Sequence, residues 1–347
     1  MPNSTRHAAA VSPRHPSGVR VVLTRLDRVG DLILSTPAIA SVRRSWPDAH
    51  VTLACSAYNA VVVERNPDVD TVVVLPPGAS PAKLGRRFRG RCDLAIALAP
   101  RAADFVLVGA TRARVRVGYT YVRRYVARLT ARLYVTRLAV SEADPALCER
   151  QPNYRVRPEV EQVLDLVRLA GGETLAHDLV VPIDDDDRRA VASVPAGGIA
   201  LQLGERWFRD GSTQASTFAL IARLRDFGLP VIVTYGDDAV AEARALGAAA
   251  LADHVVGELS FSQWAATFEK SRVVVTVDTG ATHVASAVGR PTVVLFEHRY
   301  FHLSSQEWSP YRVPSVCLRK PASDGPAELA ASRAEIVGAV GHLLQRT

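Results

Sequence analysis

Cysteine is scarce in this chain. Its four copies in 347 residues, Cys55, Cys92, Cys148 and Cys317, lie far apart and form neither a metal-ligand nor a redox spacing. Free thiols in a reducing, cytosolic setting are the simplest account. No run of about 18 or more uninterrupted apolar residues is present, so the sequence predicts no membrane span. Residues 1–17 (MPNSTRHAAAVSPRHPS) lack the apolar core of a signal peptide and read as a disordered tail. No G-x-G-x-x-G follows the first strand of either half, which disfavours a dinucleotide-binding dehydrogenase. Nor does any nucleic-acid-binding motif accompany the basic residues, so no nucleic-acid partner is expected. The acidic run Asp184 to Asp187 reads as a solvated linker or helix start and not as a metal site. Neither a metal nor a cofactor is expected.

Apolar residues make up 48% of the chain, enough for sizeable cores, and the length favours two domains. The net charge of +7 is unevenly spread. Between Lys83 and Arg137 fourteen Lys and Arg stand against two acids, a local +12 that leaves −5 for the remainder. Such a block fits an anionic partner, either a phosphorylated glycolipid or a membrane surface, and equally a solvated arginine-rich face.

Strand-length apolar runs alternate with helical segments. The N-terminal half predicts strands at 19–24, 51–54, 71–75 and 94–98, with helices near 32–44 and 58–65. Pro37 predicts that the first helix begins in earnest there. Beyond residue 118 the pattern loosens, and 119–153 reads as helices and loops before an amphipathic helix at 158–171. A second alternating series predicts strands at 199–203, 230–234, 273–277 and 292–296. Helices are expected at 217–227, 239–246, 262–270, 282–288 and 332–345. The repeated β-α-β order implies parallel sheets.

The most informative stretch is VVVTVDTGATHVASAVGRPTVVLF, 273–296. A buried strand reaches a sharp turn at Asp278-Thr279-Gly280, then a short helix carrying His283, then a second buried strand. A helix starting at the C-terminal end of a parallel strand aims free N–H groups and a positive dipole end into the ligand crevice. Gly280 admits close backbone approach, and Thr279 and Thr282 offer hydroxyls, so the outline is that of a phosphate seat. The same residues also fit an ordinary capped turn, with His283 a satisfied helix histidine.

Together these segments resemble a known family. RLDRVGDLILSTP (25–37), SVRRSWPDAHVTL and NPDVDTVV resemble the N-terminal signature of the ADP-heptose:lipopolysaccharide heptosyltransferases, glycosyltransferase family 9. VDTGATHVASAVGRPTVVLF is similar to that family's donor-phosphate motif, and Trp308-Ser309-Pro310-Tyr311 with the final helix also fits. The resemblance implies an α/β fold of GT-B architecture, two Rossmann-like doubly wound domains facing across a cleft. It implies an acceptor-binding domain at 18–175 and a nucleotide-sugar donor domain at 176–347. It further implies an inverting, metal-independent transferase using a donor such as ADP-heptose and an anionic glycolipid acceptor. Such an enzyme would be cytoplasmic, with peripheral contact at the inner membrane.

Carried onto this chain, the family's catalytic carboxylate maps to Asp31, beside Gly30, as general base. At a helix start Asp31 is expected to titrate low, and to serve as a base only if the cleft desolvates it. The donor diphosphate would lie over Thr279, Gly280, Ala281, Thr282 and His283, with Arg206 and Arg209 as further phosphate partners. Asp278 would orient the donor sugar or brace its loop, and Asp238 or Glu242 would hold ribose hydroxyls. Gly30, Arg123 and Arg124 would meet the acceptor. Two departures stand out: the shifted register around Arg206-Trp207, and Glu297-His298-Arg299 where the family carries Gly-Pro-Thr. The second leaves a non-heptose donor open. A non-catalytic nucleotide-sugar scaffold and a nucleotide-sugar isomerase are the readings from other classes.

Overall fold

The structure, a computed structural model, describes residues 18–151, 153–209 and 212–346. The expected tail at 1–17 lies outside the described residues.

The N-terminal half runs β1 (Arg20–Arg25), α1 (Val29–Ser45), β2 (His50–Ser56), β3 (Thr71–Leu75), α2 (Pro81–Arg87), β4 (Leu94–Ala97) and α3 (Ala102–Thr111). It continues through β5 (Val115–Tyr121), α4 (Tyr125–Ala131), β6 (Arg137–Ser141), α5 (Pro145–Arg150) and α6 (Glu159–Ala170). The C-terminal half begins with α7 (Asp185–Ala190), β7 (Ile199–Leu203), α8 (Glu205–Phe208), α9 (Gln214–Arg225), β8 (Val231–Tyr235), α10 (Val240–Ala248) and β9 (His254–Val256). It ends with α11 (Phe261–Glu269), β10 (Val273–Val277), α12 (Gly280–Ala287), β11 (Thr292–Phe296), α13 (Phe301–Glu307), β12 (Ser315–Arg319) and α14 (Pro326–Leu344).

Both sheets are six-stranded, and every recorded pairing is parallel. The first is ordered β3-β2-β1-β4-β5-β6, and the second repeats that order as β9-β8-β7-β10-β11-β12. Strand order therefore reverses between β1 and β4, and again between β7 and β10. Ligand crevices form at such switch points, beyond the strands' C-terminal ends. The expected doubly wound α/β architecture is present in both halves.

Three local expectations are corrected. Pro37 sits inside α1, which starts at Val29. Proline cannot donate to the carbonyl four residues back, but the Thr36 hydroxyl takes that acceptor, Ile33 O, at 2.7 Å. The region read as helices and loops after residue 118 contains the last three residues of β5 and all of β6. The helix expected at 58–65 is one short 3-10 turn, Ala60–Val62. Of the two readings of the acidic run, the helix start is the one found: Asp184 and Asp187 form a capping box at the start of α7, and Arg65 pairs with both.

The strand centres and the inner faces of α1 and α6 form a continuous apolar core, which also takes in Ala281, Val284 and Ala285 of α12 and Leu303 of α13. The halves are therefore packed together along α1 and α12, with burial on the order of 1.5–3 kcal/mol for each large apolar side chain removed from water. A second core lies between the C-terminal sheet, α9 and α14, through residues such as Leu201, Leu220 and Val340. Among the described residues no helix is long and apolar enough to cross a membrane.

Candidate active site

The β1–α1 turn and the β10–α12 turn meet face to face. Gly30, in the first turn of α1, lies against α12 so closely that an added Cβ would fall 2.7 Å from His283 Cδ2 and 3.1 Å from Gly280 Cα. Glycine is required there by close approach and not by an unusual backbone. Beside this contact opens a cavity of about 600 Å³ lined from both halves, by Arg28, Gly30 and Asp31 on one side and Arg206, Asp278 and Gly280 on the other. Thr279, His283 and Arg209 complete much of the C-terminal wall, with Tyr300, Ser304 and Trp308 at its side.

Asp31 projects from the first turn of α1, where the dipole favours a carboxylate. Burial outweighs that preference and pushes its pKa up to about 8; Arg25 opposes the shift, while Glu159 and Asp27 add to it. The expectation of a low-titrating Asp31 is thus reversed, because the cleft removes water from it. Its anchor is Arg25, a fully buried guanidinium that sequence reasoning did not single out. Arg25 contacts Asp27 at 2.8 Å, Glu159 at 2.6 Å and Asp31 at 3.6 Å, and donates to Leu98 O at 2.6 Å. Glu159 also accepts from Tyr119 Oη and from Trp308 Nε1, tying α6 to the segment after α13. No spacing signal announces this network, since Arg25 and Glu159 stand 134 residues apart.

On the opposite wall, α12 opens at Gly280, with Thr279 in extended conformation as its N-cap. Its first amides have no acceptor within the helix and lie at the positive dipole end. Thr279, Gly280 and His283 face the cavity, whereas Ala281 and Thr282 are buried behind it. The Thr282 hydroxyl bonds Val277 O at 3.2 Å and its N–H bonds Thr279 O, so its polar groups serve the turn. Burial lowers the pKa of His283 to about 3, which leaves a neutral imidazole. Its Nδ1 has no hydrogen-bond partner among the described residues.

Arg206, on the short helix after β7, donates to the Asp278 carbonyl and lies 3.7 Å from both the Asp278 and Glu297 carboxylates. Burial raises the pKa of Asp278, against the pull of Arg206. Arg209 pairs with Glu205. Lys320, fully buried at the end of β12, donates to the carbonyls of Arg206 and Arg209 and fixes their loop. Arg28 is a further cationic wall residue that sequence reasoning passed over, although it stands inside the quoted N-terminal motif.

The remaining expected residues lie elsewhere. Asp238 accepts from the Glu205 N–H at 2.8 Å, and Glu242 sits in the first turn of α10; neither lines the cavity. Arg123 and Arg124 stack over Tyr121 at 5.6 and 5.0 Å, beyond the C-terminal end of β5. Among the described residues no three His, Cys, Asp or Glu side chains gather as a metal site.

Comparison with known proteins agrees with this geometry. Residues 215–333 match glycosyltransferase family 9 (heptosyltransferase). A sequence search of curated proteins returned no match. The fold is similar to that of a family 9 glycosyl transferase from Veillonella parvula, with TM-score 0.74 and 17% identity over 95% of this chain and 98% of that one. It is also similar to Escherichia coli ADP-heptose lps heptosyltransferase II, with TM-score 0.70 and 17% identity over 94% of this chain and 99% of that one. For E. coli heptosyltransferase WaaC with ADP the TM-score is 0.65 and the identity 19%, over 92% and 99%. At such identities the structural likeness speaks to the fold, and the family rests on the matched segment. That segment, which includes the α12 turn, is similar to the glycosyltransferase family 9 (heptosyltransferase) domain, and the chain as a whole has the GT-B architecture of a glycosyltransferase.

Proposed function

We propose that the enzyme moves a heptose or closely related sugar from a nucleotide-diphosphate donor, ADP-heptose in the first instance, to a hydroxyl of an anionic lipopolysaccharide-core glycolipid. Transfer inverts the anomeric centre and needs no metal. The N-terminal half, 18–175, receives the acceptor and the C-terminal half, 176–347, holds the donor. The observation that carries the proposal is the opposition of a desolvated carboxylate, Asp31, to the α12 N-terminus and Arg206 across one cavity.

In this mechanism the Asp31 carboxylate accepts the proton of the acceptor hydroxyl while that oxygen attacks the anomeric carbon. The bond from that carbon to the diphosphate oxygen breaks on the opposite face, and its electron pair leaves with the diphosphate. A raised pKa makes Asp31 a stronger base than an ordinary carboxylate. The departing charge is met by the first amides of α12, by Arg206 and by Arg209. Neutral His283 supports the turn through its ring, and Asp278 holds Arg206 in place. Support for an adenine nucleotide comes from the similarly folded WaaC, whose structures contain ADP and ADP-2-deoxy-2-fluoro heptose. Arg123 and Arg124 meet the acceptor's anionic groups and bring the enzyme to the cytoplasmic face of the inner membrane.

One observation favours a second donor class. Glu297 brings a carboxylate to 3.7 Å from Arg206 and 3.8 Å from Lys320, beside the phosphate seat. A donor other than heptose would account for that added charge.

Calorimetric titration with ADP, UDP and GDP, on wild type and Arg206→Ala, tests the reading. Selective ADP binding weakened by the substitution supports an adenine-nucleotide donor. Selective UDP or GDP binding discards ADP-heptose and keeps the transferase. Absence of binding to all three sinks the donor assignment, and donor consumption without acceptor points to an isomerase.

A further inference from the structure

The segment immediately after β5 is built the wrong way round for a helix in water. Val122, Tyr125, Val126, Leu129 and Leu133 are 38, 61, 73, 46 and 78% exposed. Their spacing puts them on one helical stripe, along and just beyond α4. A core-facing helix would bury that stripe; here it faces outward. Arg124, Arg128 and Arg132 recur every fourth residue beside it, and the Arg128 guanidinium lies over the Tyr125 ring at 5.4 Å. No Asp or Glu occurs between Asp104 and Glu142.

We propose that α4 with its flanking residues 122–133 is an interfacial membrane-docking element. Its apolar stripe enters the headgroup–acyl boundary of an anionic bilayer, and its arginines bind the headgroup phosphates. This deepens the membrane contact of the proposed function by naming the inserting surface, and it rests on that reading only for its purpose. Outward apolar side chains flanked by arginines are the physical signature of a helix lying in the plane of a membrane surface. Charge selects this occupant over a second copy of the chain: self-pairing would press two acid-free arginine rows together, whereas an anionic surface neutralises them.

Position gives the surface its use. Tyr121, at the end of β5, carries Arg123 and Arg124 over its ring and lies close enough to Glu307 at the end of α13 that, after burial and Glu159, that carboxylate's charge raises its pKa. The same helix and the residue after it supply Ser304 and Trp308 to the cavity wall. A bilayer engaged by 122–133 therefore lies beside the cavity mouth, where a lipid-anchored acceptor would present its sugars.

The test is co-sedimentation of the full chain with vesicles of neutral phosphatidylcholine, or of phosphatidylcholine with phosphatidylglycerol, at physiological salt. Wild type should pellet with the anionic vesicles only. Val126→Ser/Leu129→Ser/Leu133→Ser removes the stripe, and Arg128→Glu/Arg132→Glu reverses the charge. The charge-reversed variant should lose roughly thirtyfold or more in vesicle affinity, from about 1 kcal/mol per basic residue near an anionic surface. Because Val126, Leu129, Leu133 and Arg132 are exposed and Arg128 is half-exposed, melting temperature and nucleotide affinity should stay at wild-type values. Wild-type vesicle binding by both variants overturns the proposal. So does a concentration-dependent dimer that the serine variant dissolves, since it assigns the stripe to a second copy. Nucleotide binding is read separately, so failure of the donor assignment leaves this result standing.

Discussion

The two halves share one strand order yet bring different groups to the cavity. In the N-terminal half the first strand, β1, feeds directly into a long helix whose first turn carries Asp31. In the C-terminal half the first strand, β7, feeds only the four-residue α8, which presents Arg206. There the helix N-terminus comes instead from α12, after β10, on the other side of the switch point. One scaffold, used from its two sides, supplies a carboxylate to one wall and amides with a guanidinium to the other. Topology fixes where a ligand can lie, and the turn sequences decide what each wall does to it.

The sharpest way to break this contrast is to neutralise one wall. Asp31→Asn keeps shape and removes the proposed base, so kcat should fall by about 10³, within the span ordinary for a general base, while nucleotide affinity stays unchanged. Burial raises the pKa of Asp31 to about 8, and the deprotonated form is the base, so wild-type kcat/KM should climb with pH and level off above that value. A pH-independent residual rate is expected for Asn. If the variant retains wild-type kcat, the N-terminal wall is not the catalytic one.

Neutralising the other wall should give the converse. Arg206→Ala removes a cation from the seat and should weaken nucleotide binding by about 2 kcal/mol, roughly thirtyfold, the scale of a hydrogen bond to a charged group. Titration calorimetry reads it. Equal affinity in the variant would shift the phosphate to Arg209 or Arg28.

How much of this contrast was legible in sequence follows from burial. The run β10–α12–β11 read almost to the residue, because both strands are fully buried apolar runs and Gly289 (φ 71°) stops the helix where expected. β6 and β12 did not read at all. Both are edge strands, half exposed and carrying arginine, so their period-two pattern is broken. Asp31 could be named from its motif, but its titration could not. That depends on Glu159 and on Arg25, whose roles exist only once α6 packs against α1 and β5 and the two side chains meet. In the same way α4 lay hidden in a stretch read as merely basic, since only the fold shows which face of it stays outside.

Gly30 tests the contact between the walls with a smaller effect. Gly30→Val places side-chain atoms against His283 and Gly280, where even a Cβ is too close. Overpacking of this kind costs about 1–3 kcal/mol, and the halves should part along the α1–α12 seam. Denaturant unfolding should report that loss together with a raised KM. An unchanged midpoint would mean that the seam yields without cost, and that the walls do not hold one another in register.

A last effect concerns what desolvating Asp31 does to the fold itself. Its folded-state pKa is raised above the unfolded value of about 3.9. Below both values the two states carry the same proton and the group contributes nothing. Between about 4 and about 8 the unfolded chain has lost a proton that the folded chain keeps, so stability falls as pH rises. Glu307, raised by burial to about 8, contributes a slope of the same sign, whereas His283, lowered to about 3, contributes the opposite sign below neutrality. Asp31→Asn deletes only the first of these. The melting temperature of the variant relative to wild type should therefore be higher at pH 8 than at pH 5, a stability gained where activity is lost. If the difference between the two proteins is the same at both pH values, Asp31 is solvated in the folded state. The N-terminal wall would then owe its chemistry to position alone.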